Sequence, residues 1–101
     1  MKLLCLDIPQ PNATMEQYQP YINAEVQHGW NLYKNGIVRD IYFRKDRPGV
    51  AIIAEAESIE AARAALMEFP LAKAGFINWD IIPLGPFLNW EILFAPTSKD
   101  A

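Results

Sequence analysis

The order of two hydrophobic periodicities along the chain constrains its fold more than any other feature. Residues 2–8, 37–44, 50–56 and 76–84 are apolar in the dense or alternating manner of β-strands. Between the first two segments, and again between the last two, apolar residues recur at helical spacings of three and four. The pattern predicts a four-stranded antiparallel sheet covered by two helices in the order βαββαβ. This is the ferredoxin-like α+β fold class, the split βαβ arrangement.

Length and composition fit a single domain. The chain has 101 residues, of which 51% are hydrophobic, and this is enough apolar material for one core. Residues 1–95 are therefore assigned to one α+β domain, and residues 96–101 to a polar C-terminal tail. Before that tail, Leu88, Trp90 and Ile92 alternate with more polar residues, which predicts an extra C-terminal strand.

Capping and turn residues indicate where the elements begin and end. Asn12 is expected to cap the first helix, because its side-chain oxygen can accept a hydrogen bond from an unpaired backbone N–H. Pro20 lies inside the helical pattern, so a kink or a late helix start is expected there. Ser58 is the expected N-cap of the second helix. The polar residues 45–49 predict the turn of a β-hairpin.

The predicted sheet carries apolar residues on both faces. Ile41 and Ile53 share one strand parity, whereas Val38 and Ile52 share the other. Two helices cover only one face of such a sheet, so a second copy of the chain is the simplest cover for the other. We therefore expect a homodimer or larger homo-oligomer, with Trp90 anchored on a neighbouring subunit. The alternative is a monomer whose C-terminal tail folds back over its own sheet.

Charge, cysteine content and motifs argue against several classes of protein. The formal net charge is -3 with scattered Lys and Arg, so neither nucleic acid nor an anionic membrane is an expected partner. The single Cys5 and the lack of any apolar stretch of roughly 20 residues favour a soluble cytoplasmic protein. The sequence has no phosphate-binding loop, serine elbow or zinc-ligand spacing, and we expect no metal and no cofactor.

Residues 24–84 resemble the muconolactone isomerases, small oligomeric proteins of the dimeric α-β barrel superfamily. The similarity rests on residues 36–42 entering the hairpin, on Glu55 followed by Ser58, and on the Leu-Met-Glu-Phe-Pro-Leu stretch at 66–71. The chain is longer after that stretch, and its C-terminal end is more apolar than the family's. The resemblance implies a cofactor-independent isomerase that shifts a proton in a small lactone or conjugated ring acid.

An arginine and a glutamate of the hairpin are the first candidates for that chemistry. If the hairpin turns about Arg47, Arg39 lies directly opposite Glu55 and both point to one face. Arg39 would then clamp a substrate carboxylate, while Glu55 acts as the base or orients the guanidinium. The alternative is a solvated cross-strand ion pair at the margin of the sheet.

Further candidates are a histidine, an aspartate and several aromatic residues. Histidine is the usual proton shuttle near neutral pH, which makes His28 a catalytic candidate, but helical spacing puts it near the polar side, where a surface role is the alternative. Asp80 is flanked by apolar residues, and burial there would raise its pKa; it could equally cap a backbone group. Tyr42 is a further catalytic candidate, as a phenolic donor. Tyr18, Tyr33 and Trp79 are candidates for substrate binding, with core packing as the alternative.

Three functions remain open at this point. The first is a proton-transferring isomerase or lyase for a small ring compound, either neutral or anionic. The second is the cofactor-independent monooxygenase chemistry found elsewhere in the same superfamily, and the third is a non-catalytic module for ligand binding or assembly. Fold analogy alone does not choose between them.

Overall fold

The computed structural model describes residues 1–96, so all but the first residue of the predicted polar tail at 96–101 lies outside the described residues. In this range, no helix is long and apolar enough to cross a membrane. Short 3₁₀ turns occupy Gln19–Tyr21 and Leu88–Leu93. The strands and α-helices are β1 (Lys2–Pro9), α1 (Met15–Tyr18), α2 (Ile22–Lys34), β2 (Val38–Phe43), β3 (Val50–Glu55), α3 (Ile59–Leu66), α4 (Pro70–Lys73) and β4 (Ile77–Leu84).

The four strands form one antiparallel sheet in the order β2-β3-β1-β4. The central strand β1 pairs with both neighbours, so that Cys5 lies between Ile52 of β3 and Ile81 of β4. Consecutive strands β2 and β3 form the predicted hairpin. The ferredoxin-like α+β class inferred from the periodicities is therefore confirmed.

The main core lies between the sheet and the helices. Leu3, Cys5 and Ile52 point to the helix side of the sheet and are fully buried. Ala62 and Leu66 of α3 are also almost completely buried, and the small alanine side chain lets this helix approach the strands closely. Burial of such apolar side chains is the main favourable contribution to folding.

The first helix begins at Thr14 rather than at Asn12. The Thr14 hydroxyl accepts a hydrogen bond from Gln17 N at 3.2 Å, and Gln17 Oε1 accepts one from Thr14 N at 2.9 Å. This reciprocal capping box satisfies two backbone donors at once. The residue predicted as the cap instead lies in a turn that the hydrogen bond from Ala13 N to Gln10 O closes. The predicted interruption at Pro20 is confirmed, because the 3₁₀ turn separates α1 from α2.

A bulge in β2 corrects the predicted hairpin register. Phe43 pairs with Val50 and the pairing continues to Asp40, but Val38 pairs with Ala54, so Arg39 is the extra residue of a β-bulge. The bulge moves Arg39 out of the regular alternation of the strand. Its Nε donates to Gly36 O at 3.0 Å on an exposed surface.

The predicted pairing of Arg39 with Glu55 is therefore wrong. Glu55 N donates to Ile37 O, and on its other side Glu55 is the register partner of Lys2 in β1. The sequence prediction failed because it assumed an unbroken ladder and a turn centred one half-residue further along the chain. A single inserted residue changes every pairing beyond it.

The centre of the sheet face opposite the helices is apolar and is uncovered by any helix of residues 1–96. Leu4, Leu6, Ile53 and Ile82 share this face and are only half-buried, shielded by one another. We call these four residues the helix-free face. Contiguous apolar surface of this kind is uncommon on monomers and typical of interfaces.

The residues after β4 do not form the predicted extra strand. Residues 87–94, which we call the C-terminal segment, contain the 3₁₀ turn Leu88–Leu93, with hydrogen bonds from Trp90 N to Phe87 O and from Phe94 N to Glu91 O. The prediction failed because alternation alone does not supply a neighbouring strand, and local hydrogen bonds satisfy the backbone instead. The apolar side chains of this segment are exposed.

Candidate functional site

A cleft of about 1000 Å³ opens between the first two helices and the sheet. Its walls are mostly apolar, with a few polar groups, which is the usual composition of a site for a small molecule. A second, shallower depression of about 310 Å³ near residues 10–13 has no titratable side chain in its lining. The cleft is lined by Asp7, Pro9, Gln10, Pro11, Ala13, Met15, Tyr18, Ile22, Glu25, Val26, Gly29, Trp30, Tyr33, Ile41, Tyr42, Phe43, Arg47, Pro48, Gly49, Val50, Phe69, Leu71, Ile77 and Trp79.

Asp7 is a buried carboxylate at one end of this cleft. It follows Leu3 and Cys5 on the helix side of β1, and only 8% of its surface is exposed. Asp7 Oδ1 accepts a hydrogen bond from Val50 N at 3.1 Å and lies 3.4 Å from Arg47 Nη1. A buried carboxylate is costly unless such donors surround it.

Arg47 fastens the hairpin turn to β1. Its Nη2 donates to the backbone oxygen of Asp7, and its Nη1 donates to Pro48 O at 2.8 Å. Gly49 has a φ of +150°, and a Cβ atom there would lie 2.6 Å from Asp7 Oδ1 and even closer to the Arg47 guanidinium. The turn therefore needs glycine at this position, both for its backbone conformation and for space.

Glu25 is the second carboxylate of the cleft. It projects from α2, and its Oε1 accepts a hydrogen bond from Leu71 N at 2.9 Å. Burial raises the pKa of Glu25 above its usual value, although the hydrogen bond from Leu71 and the nearby His28 oppose the shift. In the hydrogen bonds of residues 1–96, Glu25 Oε2 has no donor and is free to take a proton.

Tyr18 supplies a hydroxyl group in the same region. Burial, followed by the negative charge of Asp7, raises the pKa of this phenol, so it stays protonated and remains a hydrogen-bond donor. Its ring packs against Phe76 with a centroid distance of 5.9 Å, which limits its movement. The cleft thus combines a carboxylate able to accept a proton with a neutral hydroxyl able to donate a hydrogen bond.

Aromatic rings form the floor and the rim of the cleft. Trp79 is buried on the floor, and its Nε1 donates to Leu66 O at 3.0 Å. At the rim, Trp30 and Tyr33 stack with centroids 5.5 Å apart and an interplanar angle of 21°. Tyr42 lies on the sheet side of the rim and is exposed. Flat walls of this kind suit a planar ligand.

Four of the eight residues proposed from the sequence line the cleft, and four do not. Tyr18, Tyr33, Tyr42 and Trp79 are brought together there, and their roles in binding or catalysis stay predictions. Arg39, Glu55, Asp80 and His28 do not line it. Asp80 pairs with Leu6 on the side of the helix-free face and is exposed, rather than buried among its apolar sequence neighbours.

His28 lies between helices rather than on the polar surface suggested by its spacing. Its Nε2 donates to Ala65 O at 3.0 Å, and its ring packs edge-on against Phe69 at 4.5 Å. The surface interpretation was wrong because the imidazole is part-buried against the backbone of Ala65 and the ring of Phe69. Glu55 is also held outside the cleft, where its Oε2 lies 3.5 Å from the Met1 amino nitrogen.

The sequence interpretation did not select Asp7, Glu25 or Arg47 as site residues. A signal existed for the first, because Asp7 shares the parity of Leu3 and Cys5 and is thus a charge on the buried side of a strand. A weaker signal existed for Glu25, which lies at helical spacing from apolar positions of α2. Nothing in the sequence showed that Arg47 folds back onto β1, because that contact depends on the conformation of the turn.

Nucleophilic and metal chemistry find little support in the described residues. Burial raises the pKa of the Cys5 thiol to about 11, so it stays protonated and unreactive at neutral pH. Within residues 1–96, no group of three or more His, Cys, Asp or Glu side chains is arranged to hold a metal ion. The titratable side chains that line the cleft are two carboxylates, three phenols and one guanidinium.

The fold of this chain is similar to those of solved structures. The chain is similar to 5-chloro-2-hydroxyhydroquinone dehydrochlorinase from Burkholderia phenoliruptrix in complex with 2,5-dihydroxybenzoquinone, with 18% identity, a TM-score of 0.68, and coverage of 84% of this chain and 94% of that one. It is also similar to muconolactone isomerase, with 16% identity, a TM-score of 0.69, and coverage of 85% and 90%. No family model and no curated protein matches the sequence. The predicted resemblance to muconolactone isomerase is thus confirmed at the level of the fold.

Replacement of Gly49 tests how the turn is fastened. We expect Gly49→Ala to lower the free energy of unfolding by about 1–3 kcal/mol, because the backbone conformation becomes strained and the added methyl group meets Asp7 and Arg47. Gly85→Ala is the matched control, since nothing lies within 4 Å of a Cβ atom there. Urea unfolding of both variants measures the difference, and equal stabilities would contradict the proposed packing of the turn.

Proposed function

We propose that this chain is a cofactor-independent enzyme that moves a proton at carbon in a small conjugated ring, as an isomerase or a lyase. The main support is the Glu25 carboxylate, which lies in the wall of a largely apolar cleft, has a raised pKa and has one oxygen without a hydrogen-bond donor among the described residues. A general base works best when its pKa is moved towards the working pH. Clustering of a perturbed acid with aromatic walls is typical of such sites.

The proposed reaction begins when the ring lies between the aromatic walls. Glu25 removes a proton from a carbon next to a carbonyl or enol group, and the electron pair moves into the conjugated system towards oxygen. Tyr18 donates a hydrogen bond that stabilises the developing negative charge. The protonated Glu25 then returns the proton to a different carbon, which completes an isomerisation. Alternatively, the electron pair expels a leaving group, which completes an elimination.

The two similar structures are consistent with this class of reaction. By name, one is an isomerase of muconolactone and the other removes hydrogen chloride from a chlorinated hydroquinone. Both names describe conversions of a small ring compound. A cleft of about 1000 Å³ is large enough for one such ring.

The aromatic rim favours a second candidate, a cofactor-independent monooxygenase. Trp30, Tyr33 and Tyr42 would then hold an oxidisable phenolic ring. Oxygen consumption during turnover of a hydroquinone separates this reaction from simple proton transfer. Binding without any turnover would instead favour the non-catalytic module.

We also propose that the working protein is a homodimer, or a larger assembly of dimers, in which two helix-free faces pack together. The half-buried Leu4, Leu6, Ile53 and Ile82 support this arrangement, because a second sheet would remove them from water. The C-terminal segment supports a second contact, since Phe87 and Trp90 pack edge to face yet remain more than half exposed. Such aromatic side chains are enriched at interfaces.

Replacement of the proposed base tests the function. In D₂O, with 5-chloro-2-hydroxyhydroquinone as the probe, we expect the protein to accelerate hydrogen exchange at ring carbon or the release of chloride, and proton NMR measures the rate. Glu25→Gln should lower that rate by about 10²- to 10⁴-fold, because a general base is lost. Glu16→Gln, on the exposed surface of α1, should leave it unchanged. Inactivity of the protein with this probe, or full activity of the Glu25 variant, would contradict the proposal.

A charge on the helix-free face tests the assembly. Ile53→Glu should convert a dimeric protein into a monomer, because an interface must desolvate the added carboxylate. The control Ala64→Glu adds the same charge to an exposed position of α3 and should leave the assembly intact. Sedimentation velocity measures both variants. A folded, monomeric parent protein at micromolar concentration would rule out the dimer.

A further inference from the structure

The charged groups that line the cleft are unequal in number. Asp7 and Glu25 contribute two carboxylates and Arg47 contributes one guanidinium, which leaves a formal charge of −1. The other titratable groups in its lining are the phenols Tyr18, Tyr33 and Tyr42, which are neutral when protonated. A ligand in the cleft therefore meets more negative than positive charge.

The single guanidinium is already engaged. Arg47 donates to the carboxylate and to the backbone oxygen of Asp7, and also to Pro48 O. These bonds hold it against the turn and compensate its charge. A substrate carboxylate would have to compete with Asp7 for this group, and the competition would leave the buried Asp7 without its partner.

Other cations of the described chain are held outside the cleft. Arg39, the residue predicted to clamp a carboxylate, is exposed at the bulge. Arg44 forms a bidentate contact with Asp46. Arg63 of α3 donates a hydrogen bond of 3.2 Å to Trp79 O. Within residues 1–96, the cleft lining thus has no free cation with which to bind an anionic substrate.

We infer that the cleft selects an uncharged ring, such as a phenol, a hydroquinone or a neutral lactone, and rejects the same ring when it carries a carboxylate. This inference rests on the proposed function, since it assumes that the substrate binds in this cleft. It also replaces the expectation of an anionic ring, which was based on Arg39 as a clamp for a substrate carboxylate. Selectivity arises from repulsion by Glu25 in a partly desolvated site, where charges interact more strongly than in water.

Two rings that differ by one carboxylate provide the test. Hydroquinone and 2,5-dihydroxybenzoate share the same hydroxyl pattern, and at pH 7.5 only the second carries a negative charge. Dissociation constants are measured by NMR titration of the full chain. We expect hydroquinone to bind at least about 10-fold more tightly, because the carboxylate faces an excess of negative charge.

The Glu25→Gln variant tests whether the charge of Glu25 causes the difference in affinity between the two rings. The glutamine side chain is nearly isosteric with glutamate and its oxygen can still accept from Leu71 N, so the fold should persist while the charge is removed. The ratio of the two affinities should then fall at least about 3-fold through tighter binding of the benzoate. Glu60→Gln, on the exposed side of α3, should leave the ratio unchanged.

The possible outcomes separate this inference from the proposed function. Equal binding of both rings, tighter binding of the benzoate, or a ratio that Glu25→Gln leaves unchanged would overturn the charge selectivity and leave the proton-transfer proposal standing. Binding of neither ring at millimolar concentration would overturn both. Preference for hydroquinone together with a smaller ratio in the Glu25 variant is the supporting result.

Discussion

Asp7 occupies a position where a strand packed against helices ordinarily carries an apolar side chain, and much of the local architecture depends on how its charge is satisfied. Its partners, Val50 N and the Arg47 guanidinium, both belong to the hairpin turn and the strand that follows it. Because a buried carboxylate cannot be left without donors, the turn must lie against β1. The open cleft beside this contact is bounded by the turn on one side and by the first two helices on the other.

Unlike Asp7, whose charge is satisfied by several donors, Glu25 is destabilised in its ionised form. Burial makes its ionised form less favourable in the folded state, so the pKa of Glu25 is raised. The free energy of unfolding therefore depends on pH. The contribution of Glu25 is most favourable when its carboxyl is protonated, and it is lost as the pH rises through the pKa of Glu25 in the folded state. A protein that keeps such a residue accepts a cost in stability, and this is a common property of functional sites.

Much of the fold could be predicted from the sequence, because hydrophobic period is a local property. The first strand, expected at residues 2–8, extends over Lys2–Pro9, and Ser58 caps α3 as its sequence context indicated. The bulge at Arg39 could not be predicted, because it depends on which residues the third strand offers for pairing. The C-terminal segment was mispredicted for a related reason, since a strand requires a neighbour as well as an alternating sequence.

The candidate site was harder to predict than the fold. Four aromatic residues of the cleft could be predicted because large rings are commonly buried or bind ligands. The two acids of the cleft could not be predicted in this way, since their role depends on which side of each strand or helix is buried. His28 shows the same limitation, since helical spacing places a residue on a face but does not say which neighbour covers that face. Charged residues on otherwise apolar strand or helix faces are the signal that would have found Asp7 and Glu25.

The proposed chemistry depends on Glu25, an acid of raised pKa in the wall of the cleft. The most direct measurement is a ¹³C NMR titration of the Glu25 side-chain carboxyl, assigned from the signal missing in Glu25→Gln, with and without hydroquinone. We expect the pKa of Glu25 to lie above the usual value for glutamate and to rise further when the bound ring excludes water. A pKa of Glu25 at or below the usual glutamate value, unaffected by the ligand, would contradict this assignment.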